Sequence, residues 1–195
     1  MGWVALVAIG PLVEGAFREH RLNATGLVAP GQRCAVVVEV FAPDVFSDLA
    51  IHFVDWSPDP PGDAMGLWMP ARVETTGPVA LRDPAVTSRL GTDGSADLTL
   101  LATLANGRDA PATARLSGRI DGRDFATDVA LGAGETREVA LTPADLPALR
   151  LATPRLRWPW AYGEPHPYRL DLEVSVDGAA SDAATLDVGV RQVTA

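Results

Sequence analysis

Two tryptophans separated by a single proline, Trp158 and Trp160, are candidate contacts for a ligand or another protein surface. They lie in an extended, proline-rich segment, in which alternate side chains point to the same side. Paired rings of this kind pack into a core, dock against another domain or form a platform on which a sugar ring stacks. The residues alone leave these three interpretations open.

Other side chains suited to chemistry do not form a recognisable site. Residues 55–63 hold Asp55, Asp59 and Asp63, but three carboxylates in a proline-rich loop are more typical of a solvated turn. The three histidines are far apart in sequence and lack the spacing of metal ligands. The chain has no Gly-x-Ser-x-Gly motif and no glycine-rich loop placed to hold phosphate. We therefore predict no catalytic residue, no metal and no cofactor.

Composition indicates a globular protein of one or two domains. The 195 residues are 47% hydrophobic and 21% charged, with a net charge of -9. All 16 basic residues are Arg. An acidic chain has no electrostatic reason to bind nucleic acid or an anionic membrane, so we expect neither partner. The localisation stays open: the apolar residues 3–9 lack the flanks of a signal peptide, and we predict a strand there.

Most of the chain reads as β-strands separated by turns rich in Pro, Gly and Asp. Apolar runs at residues 32–41, 49–54 and 67–74 predict three strands, with Cys34 a buried apolar residue of the first. After residue 78 seven strands follow at intervals typical of an immunoglobulin-like sandwich. The first of these predicted strands begins at residue 79. The other six span residues 96–104, 113–120, 125–131, 135–141, 168–176 and 184–193. A single helical turn is predicted between Thr142 and Pro147.

Motifs in a fixed order resemble one enzyme family. Residues 55–68, DWSPDPPGDAMGLW, resemble the segment DWxPxPPDxxMGIW of family 2 glycoside hydrolases, most closely the exo-β-glucosaminidase and β-mannosidase-like enzymes. Residues 154–160, PRLRWPW, and 163–170, GEPHPYRL, are similar to a later segment of the same family. Residues 188–193, VGVRQV, are similar to the end of its sandwich domain. Arg157 departs from the pattern, since the family usually has Trp there.

The resemblance implies an all-β protein of two domains without the catalytic barrel. Residues 1–77 would be the C-terminal half of a sugar-binding domain, a galactose-binding-like jelly roll whose first half has no counterpart here. Residues 78–195 would be an immunoglobulin-like antiparallel β-sandwich. In the family the two catalytic glutamates of glycoside hydrolysis lie on the barrel. This chain has no matching position for them, so we do not expect it to be an enzyme on its own.

Site residues also follow from the resemblance. In related enzymes the residues matching Asp55 and Trp56 help to hold the terminal sugar, whereas a purely structural role would be a turn cap and a packed ring. The segment of Trp158 and Trp160 lies against the barrel in the family. Trp68 is predicted to pack in the core.

Three functions remain open. The first is a non-catalytic accessory region of a glycosidase, whose partners are a β-glycoside and a catalytic barrel or a split partner chain. The second is a stand-alone carbohydrate-binding module, and the third is a structural sandwich without a ligand. A truncated gene product is a further alternative.

Overall fold

A computed structural model describes residues 18–27, 31, 33, 35–42, 44, 66–67, 69–159 and 161–193. The chain divides into two compact units, Met1–Val73 and Glu74–Ala195. In the first unit, residues 35–42 are exposed and belong to no strand, so the predicted strand at 32–41 is wrong for them. The same holds for residues 69–74 of the third apolar run. An apolar run becomes a stable strand only when a neighbouring strand satisfies its backbone groups, and the described residues of these two runs have no such partner.

The described residues of the second unit form eight strands and a short 3₁₀ helix at Pro147–Leu149. The strands are β1 Val79–Leu90, β2 Ala96–Asn106, β3 Ala112–Ile120, β4 Arg123–Leu131, β5 Thr136–Leu141, β6 Arg150–Leu151, β7 Pro167–Val176 and β8 Ala179–Gly189. A strand is present at each of the seven predicted places, and only the two-residue β6 was not expected. The last strand was predicted at 184–193 but is shifted toward the N-terminus, and residues 190–193 are wrong as strand. No helix in the described part of the chain is long and apolar enough to cross a membrane.

Two antiparallel sheets form the sandwich. Sheet A has the order β1-β2-β5, with β6 pairing beside β5 on the same edge of β2. Sheet B has the order β4-β3-β7-β8. The two hairpins of sheet B turn at Asp121-Gly122 and Asp177-Gly178, where all four residues have positive φ, as a type I′ turn requires. This is the immunoglobulin-like sandwich that the strand pattern predicts.

Alternating apolar residues of both sheets fill the space between them. Fully buried side chains include Leu98, Leu100 and Leu104 from sheet A, and Leu116 and Leu170 from sheet B. Each such leucine contributes about 1.5–3 kcal/mol by leaving water. The core of the second unit therefore lies between its two sheets.

The edge of β1 next to β8 is closed by side chains. Ser181 Oγ accepts a hydrogen bond from Val79 N at 2.8 Å and donates one to Val79 O at 2.7 Å. Asp182 Oδ2 accepts from Leu81 N at 2.7 Å. These bonds satisfy backbone groups that an open sheet edge would leave free to pair with another chain.

The predicted helical turn forms at residues 142–146, where Asp145 N and Leu146 N both donate to Thr142 O, and a separate 3₁₀ helix follows it. Asp145 Oδ2 accepts from both Thr142 N and Thr142 Oγ1, each at 2.9 Å, which makes residues 142–145 a capped turn. Pro147 was expected to end the helix, but it stands in the first turn of the 3₁₀ helix instead. A proline is suited to that position because the first helical N–H has no acceptor within the helix.

Candidate functional site

The segment linking β6 to β7, residues 154–166, carries the candidate site and is called the strap. Two hydrogen bonds donated by backbone N–H groups and one partly buried side chain fix its first half. Arg155 N donates to Tyr168 Oη at 2.6 Å, and Arg157 N donates to Val190 O at 2.9 Å. Leu156 lies between them and packs against the core. The strap is thus tied both to β7 and to the residue following β8.

Tyr168 is the main anchor of the strap. It is the second residue of β7, is only 3% exposed, and receives the Arg155 N–H from thirteen residues upstream. A buried tyrosine near the start of this strand whose hydroxyl bonds upstream backbone is a hallmark of immunoglobulin-like sandwiches. The Arg155 guanidinium also lies 5.2 Å from the centre of the Tyr168 ring. The anchor holds the strap in register with the sandwich.

Trp158 lies on the strap with 52% of its surface exposed, so the core interpretation of this residue is wrong. One part of the side chain packs against Gly163, where a Cβ would lie only 3.3 Å from Trp158 Cδ1. Gly163 also has φ of +155°, which favours glycine. The strap therefore folds back on itself beneath Trp158 and leaves the rest of the side chain open to contact.

A cleft of about 550 Å³ lies beside this side chain and is called the Trp158 cleft. Its described lining residues are Arg157, Trp158, Pro159, Pro165, Gly189 and Arg191. None of the six is acidic, although the chain as a whole carries a net charge of -9. Two guanidinium groups beside an exposed aromatic surface suit a carboxylate-bearing partner.

Gly189 leaves room for the Arg157 side chain in the cleft because it has no Cβ. A Cβ at position 189 would overlap Arg157 Cδ, so the arginine stem lies directly on the glycine backbone. This contact holds the Arg157 side chain against the end of β8, next to Arg191. Sequence reasoning marked Arg157 only as a departure from the family pattern and did not assign Arg191 to a site. The missing signal was tertiary, because the two arginines are brought together by the Arg157 N–Val190 O bond.

The shifted carboxyl groups of the described residues have structural roles. The pKa values of five of them lie below their ordinary range: Asp93, Asp124, Glu135, Asp145 and Asp171. Hydrogen bonds from Arg119 lower the pKa of Asp124, and the Gly132 N–H lowers that of Glu135. A glycosidase general acid requires a shift in the opposite direction. These five carboxylates therefore stabilise turns and ion pairs.

Several predicted positions lie outside the described residues. They are residues 3–9 and 49–54, Cys34, Asp55, Trp56, Trp68 and Trp160. The structure thus places Trp158 alone among the predicted site residues. Across the described part of the chain, no group of three or more His, Cys, Asp or Glu side chains is arranged to hold a metal ion.

Comparison with known proteins places the sandwich in a family. Residues 79–191, which include all eight strands, the strap and both arginines of the cleft, match the model for glycosyl hydrolases family 2. This chain belongs to glycosyl hydrolase family 2. The matched residues begin with β1 and end just beyond Val190, so they cover the whole sandwich.

Relatives of this chain are several times longer than it is. The exo-β-D-glucosaminidase of Streptomyces avermitilis is 39% identical over 94% of this chain, and that of Amycolatopsis orientalis is 34% identical over 97%. The crystal structure of the Amycolatopsis orientalis exo-chitosanase CsxA superposes with a TM-score of 0.66 at 33% identity, over 75% of this chain. The chain spans about a fifth of the length of these curated relatives.

Proposed function

We propose that this family 2 chain is a non-catalytic accessory region of a glycoside hydrolase that acts on O-glycosyl bonds. The sandwich orients a catalytic barrel, and the loop of residues 55–68 lines the sugar pocket of that barrel. In this proposal residues 1–77 are the C-terminal half of a sugar-binding domain. The relatives named exo-β-D-glucosaminidase support a glucosaminide as the substrate class of the whole enzyme.

The observation that carries the proposal is the Trp158 cleft. Covering the exposed half of Trp158 removes on the order of 100 Å² of apolar surface from water, which contributes about 2.5 kcal/mol. Arg157 and Arg191 add charge-assisted hydrogen bonds of about 1.5–3 kcal/mol each where they meet a carboxylate. A docking surface of this kind fits a carboxylate-bearing face of the catalytic barrel.

Charge also separates docking from sugar binding at this cleft. The amino groups of a glucosamine oligomer are protonated at acidic pH, and two guanidinium groups repel a cation. An oligomer of glucosamine is therefore a poor occupant of the Trp158 cleft. A protein surface with an Asp or Glu side chain has the complementary charge.

The test is a chimera in which this chain replaces the matching region of the Streptomyces avermitilis exo-β-D-glucosaminidase. Trp158→Ala is expected to lower kcat/KM and the unfolding temperature of the chimera, because the barrel loses its anchor. The matched control is Tyr162→Ala, which removes an aromatic side chain from the same strap that is 78% exposed and does not line the cleft. In the isolated chain, Trp158→Ala should leave the urea midpoint nearly unchanged. Equal effects of the two substitutions in the chimera contradict docking at Trp158.

The sugar-pocket part of the proposal rests on Asp55 and Trp56. In an active chimera, Asp55→Ala should raise KM for a 4-nitrophenyl β-D-glucosaminide, while the unfolding temperature stays constant. A loss of unfolding temperature with unchanged KM identifies Asp55 as a turn cap instead. The isolated chain should not hydrolyse this substrate.

A stand-alone carbohydrate-binding module is the second candidate, and the exposure of Trp158 is the observation that favours it. Aromatic side chains of sugar-binding modules must be accessible, and this one is. Calorimetric titration of the isolated chain with neutral and glucosamine oligosaccharides tests the idea. Binding that is abolished by Trp158→Ala supports a carbohydrate-binding module. Absence of binding contradicts the module and favours the accessory role.

A further inference from the structure

The end of β2 contains an asparagine followed by glycine, Asn106-Gly107, in a buried position. Asn106 is 4% exposed. Its Nδ2 donates to Ala110 O at 2.9 Å and to Gly132 O at 2.8 Å, and its Oδ1 accepts from Arg108 N at 3.0 Å. The side chain thus ties the β2–β3 loop to the turn between β4 and β5.

An Asn-Gly pair is chemically labile because the small glycine does not hinder attack on the asparagine side chain. The backbone nitrogen of Gly107 bonds to Asn106 Cγ, the Cγ–Nδ2 bond breaks, and the side-chain nitrogen leaves as ammonia with the proton of Gly107. Water then opens the cyclic imide at one carbonyl or the other and gives Asp or isoaspartate. The reaction requires only water and neither oxidises nor reduces the chain.

The fold blocks ring closure in two ways. Asn106 is paired with Val79 in the extended β2 strand, and its N–H donates to Glu135 O at 2.8 Å. Closure of a five-membered ring requires this extended backbone to rotate out of the strand. Gly107 N also donates to Pro78 O at 2.8 Å, so the attacking atom is held by the segment that enters β1. Both restraints disappear when the sandwich unfolds.

The product cannot reproduce the native contacts. A carboxylate at position 106 has no N–H to donate, so it would face the carbonyl oxygens of Ala110 and Gly132 with its own oxygens. The Glu135 carboxylate, which accepts from Gly132 N at 2.5 Å, lies on the same turn. Burying an unpaired charge among acceptors strongly opposes folding.

We propose that Asn106-Gly107 is a modification site that is exposed only by unfolding, and that its deamidation removes unfolded chains from the pool that can refold. The folded sandwich is shielded because its strand pairing and its side-chain hydrogen bonds must open together. A chain that stays unfolded is converted and is then unable to rebuild the contacts of Asn106. The fraction of chains deamidated at Asn106 therefore increases with the time that they spend unfolded.

The experiment incubates the full chain in mildly alkaline buffer, with and without urea, and localises deamidation by peptide mass spectrometry. Asn23 is the internal reference, since it is the only other asparagine and is followed by Ala. If reaction requires global unfolding, conversion of Asn106 in urea should be faster than in buffer by on the order of 10³-fold or more. After removal of urea, recovery of near-ultraviolet circular dichroism should fall in proportion to the converted fraction.

Gly107→Ala is the matched variant. An added Cβ would lie 3.6 Å from Pro78 O, an ordinary contact, and φ at this position is not in the left-handed region. The variant should fold normally, resist conversion in urea and refold fully after the same incubation. Comparable conversion of wild-type chain in buffer and urea overturns the shielding. The proposal that deamidation prevents refolding is overturned by either of two results. One is full refolding of chains that are deamidated at Asn106, and the other is loss of refolding in Gly107→Ala without deamidation.

Discussion

Removal of one oxygen atom, by the substitution Tyr168→Phe, tests whether the strap is anchored as described. The ring and its packing remain, while Arg155 N loses the acceptor that now lies 2.6 Å away. A lost hydrogen bond costs about 0.5–1.5 kcal/mol, and a donor left without a partner in a buried setting raises the cost to about 1–3 kcal/mol. Tyr168 is 3% exposed, but Arg155 is an exposed residue, so the bond is partly buried and the expected loss is about 1–2 kcal/mol.

Urea unfolding of the isolated chain measures this loss. With a slope of about 1–3 kcal/mol per molar urea, the midpoint should fall by roughly 1 M at an unchanged slope. Hydrogen exchange should quicken at Arg157 N, which donates to Val190 O in the same strap. The matched control is Tyr162→Phe, which removes the hydroxyl of a side chain that is 78% exposed and should change stability by less than about 0.5 kcal/mol.

Two results would refute the reasoning. Equal midpoints for the two Tyr→Phe variants would show that the Tyr168 hydroxyl does not stabilise the strap. A large loss with unchanged exchange at Arg157 would show that the hydroxyl acts on the core and leaves the strap in place.

Two further predictions concern the sandwich itself. Gly118→Ala should destabilise the chain by about 1–3 kcal/mol, because a Cβ there would lie 2.6 Å from Phe125 Cζ and 2.7 Å from Asp171 O. The unfolding temperature of this variant should therefore be lower than that of Gly107→Ala. Equal unfolding temperatures contradict the packing argument. Acid should also weaken the fold, since the Gly132 N–H lowers the pKa of Glu135 in the folded state. Stabilisation by this carboxylate is present above the ordinary pKa of an unfolded glutamate and is lost as pH falls through the lower folded pKa. Urea midpoints measured from neutral to acidic pH should show a smaller decline for Glu135→Gln than for wild type, and parallel curves contradict the assignment.

Local sequence was sufficient to locate the strands of the sandwich. Strand alternation and turn residues act over a few positions, so β2, β3, β4, β5 and β7 lie within a few residues of their predicted bounds. The hairpin turns at Asp121-Gly122 and Asp177-Gly178 were equally accessible, because their positive φ angles are preferences of those residues themselves.

Prediction was less successful where a residue depends on a partner elsewhere. The apolar run at 32–41 has strand composition, yet its described residues form none, because composition does not supply a pairing strand. Only the start of β1, at residue 79, was predicted. The strand continues to Leu90 through a bulge between Arg82 and Ala85. The bulge accommodates Pro84, which has no N–H to donate to the ladder.

The sequence by itself determined the fold class, the strand order along the chain and the family of the sandwich. Only the tertiary structure decided that Trp158 is exposed, because alternation in an extended segment states which residues share a side but not whether that side is covered. It also brought Arg157 to Arg191, Arg155 to Tyr168 and Val79 to Ser181. These contacts form between residues that are distant in sequence, and the packing of the two sheets, rather than any local preference, brings them together.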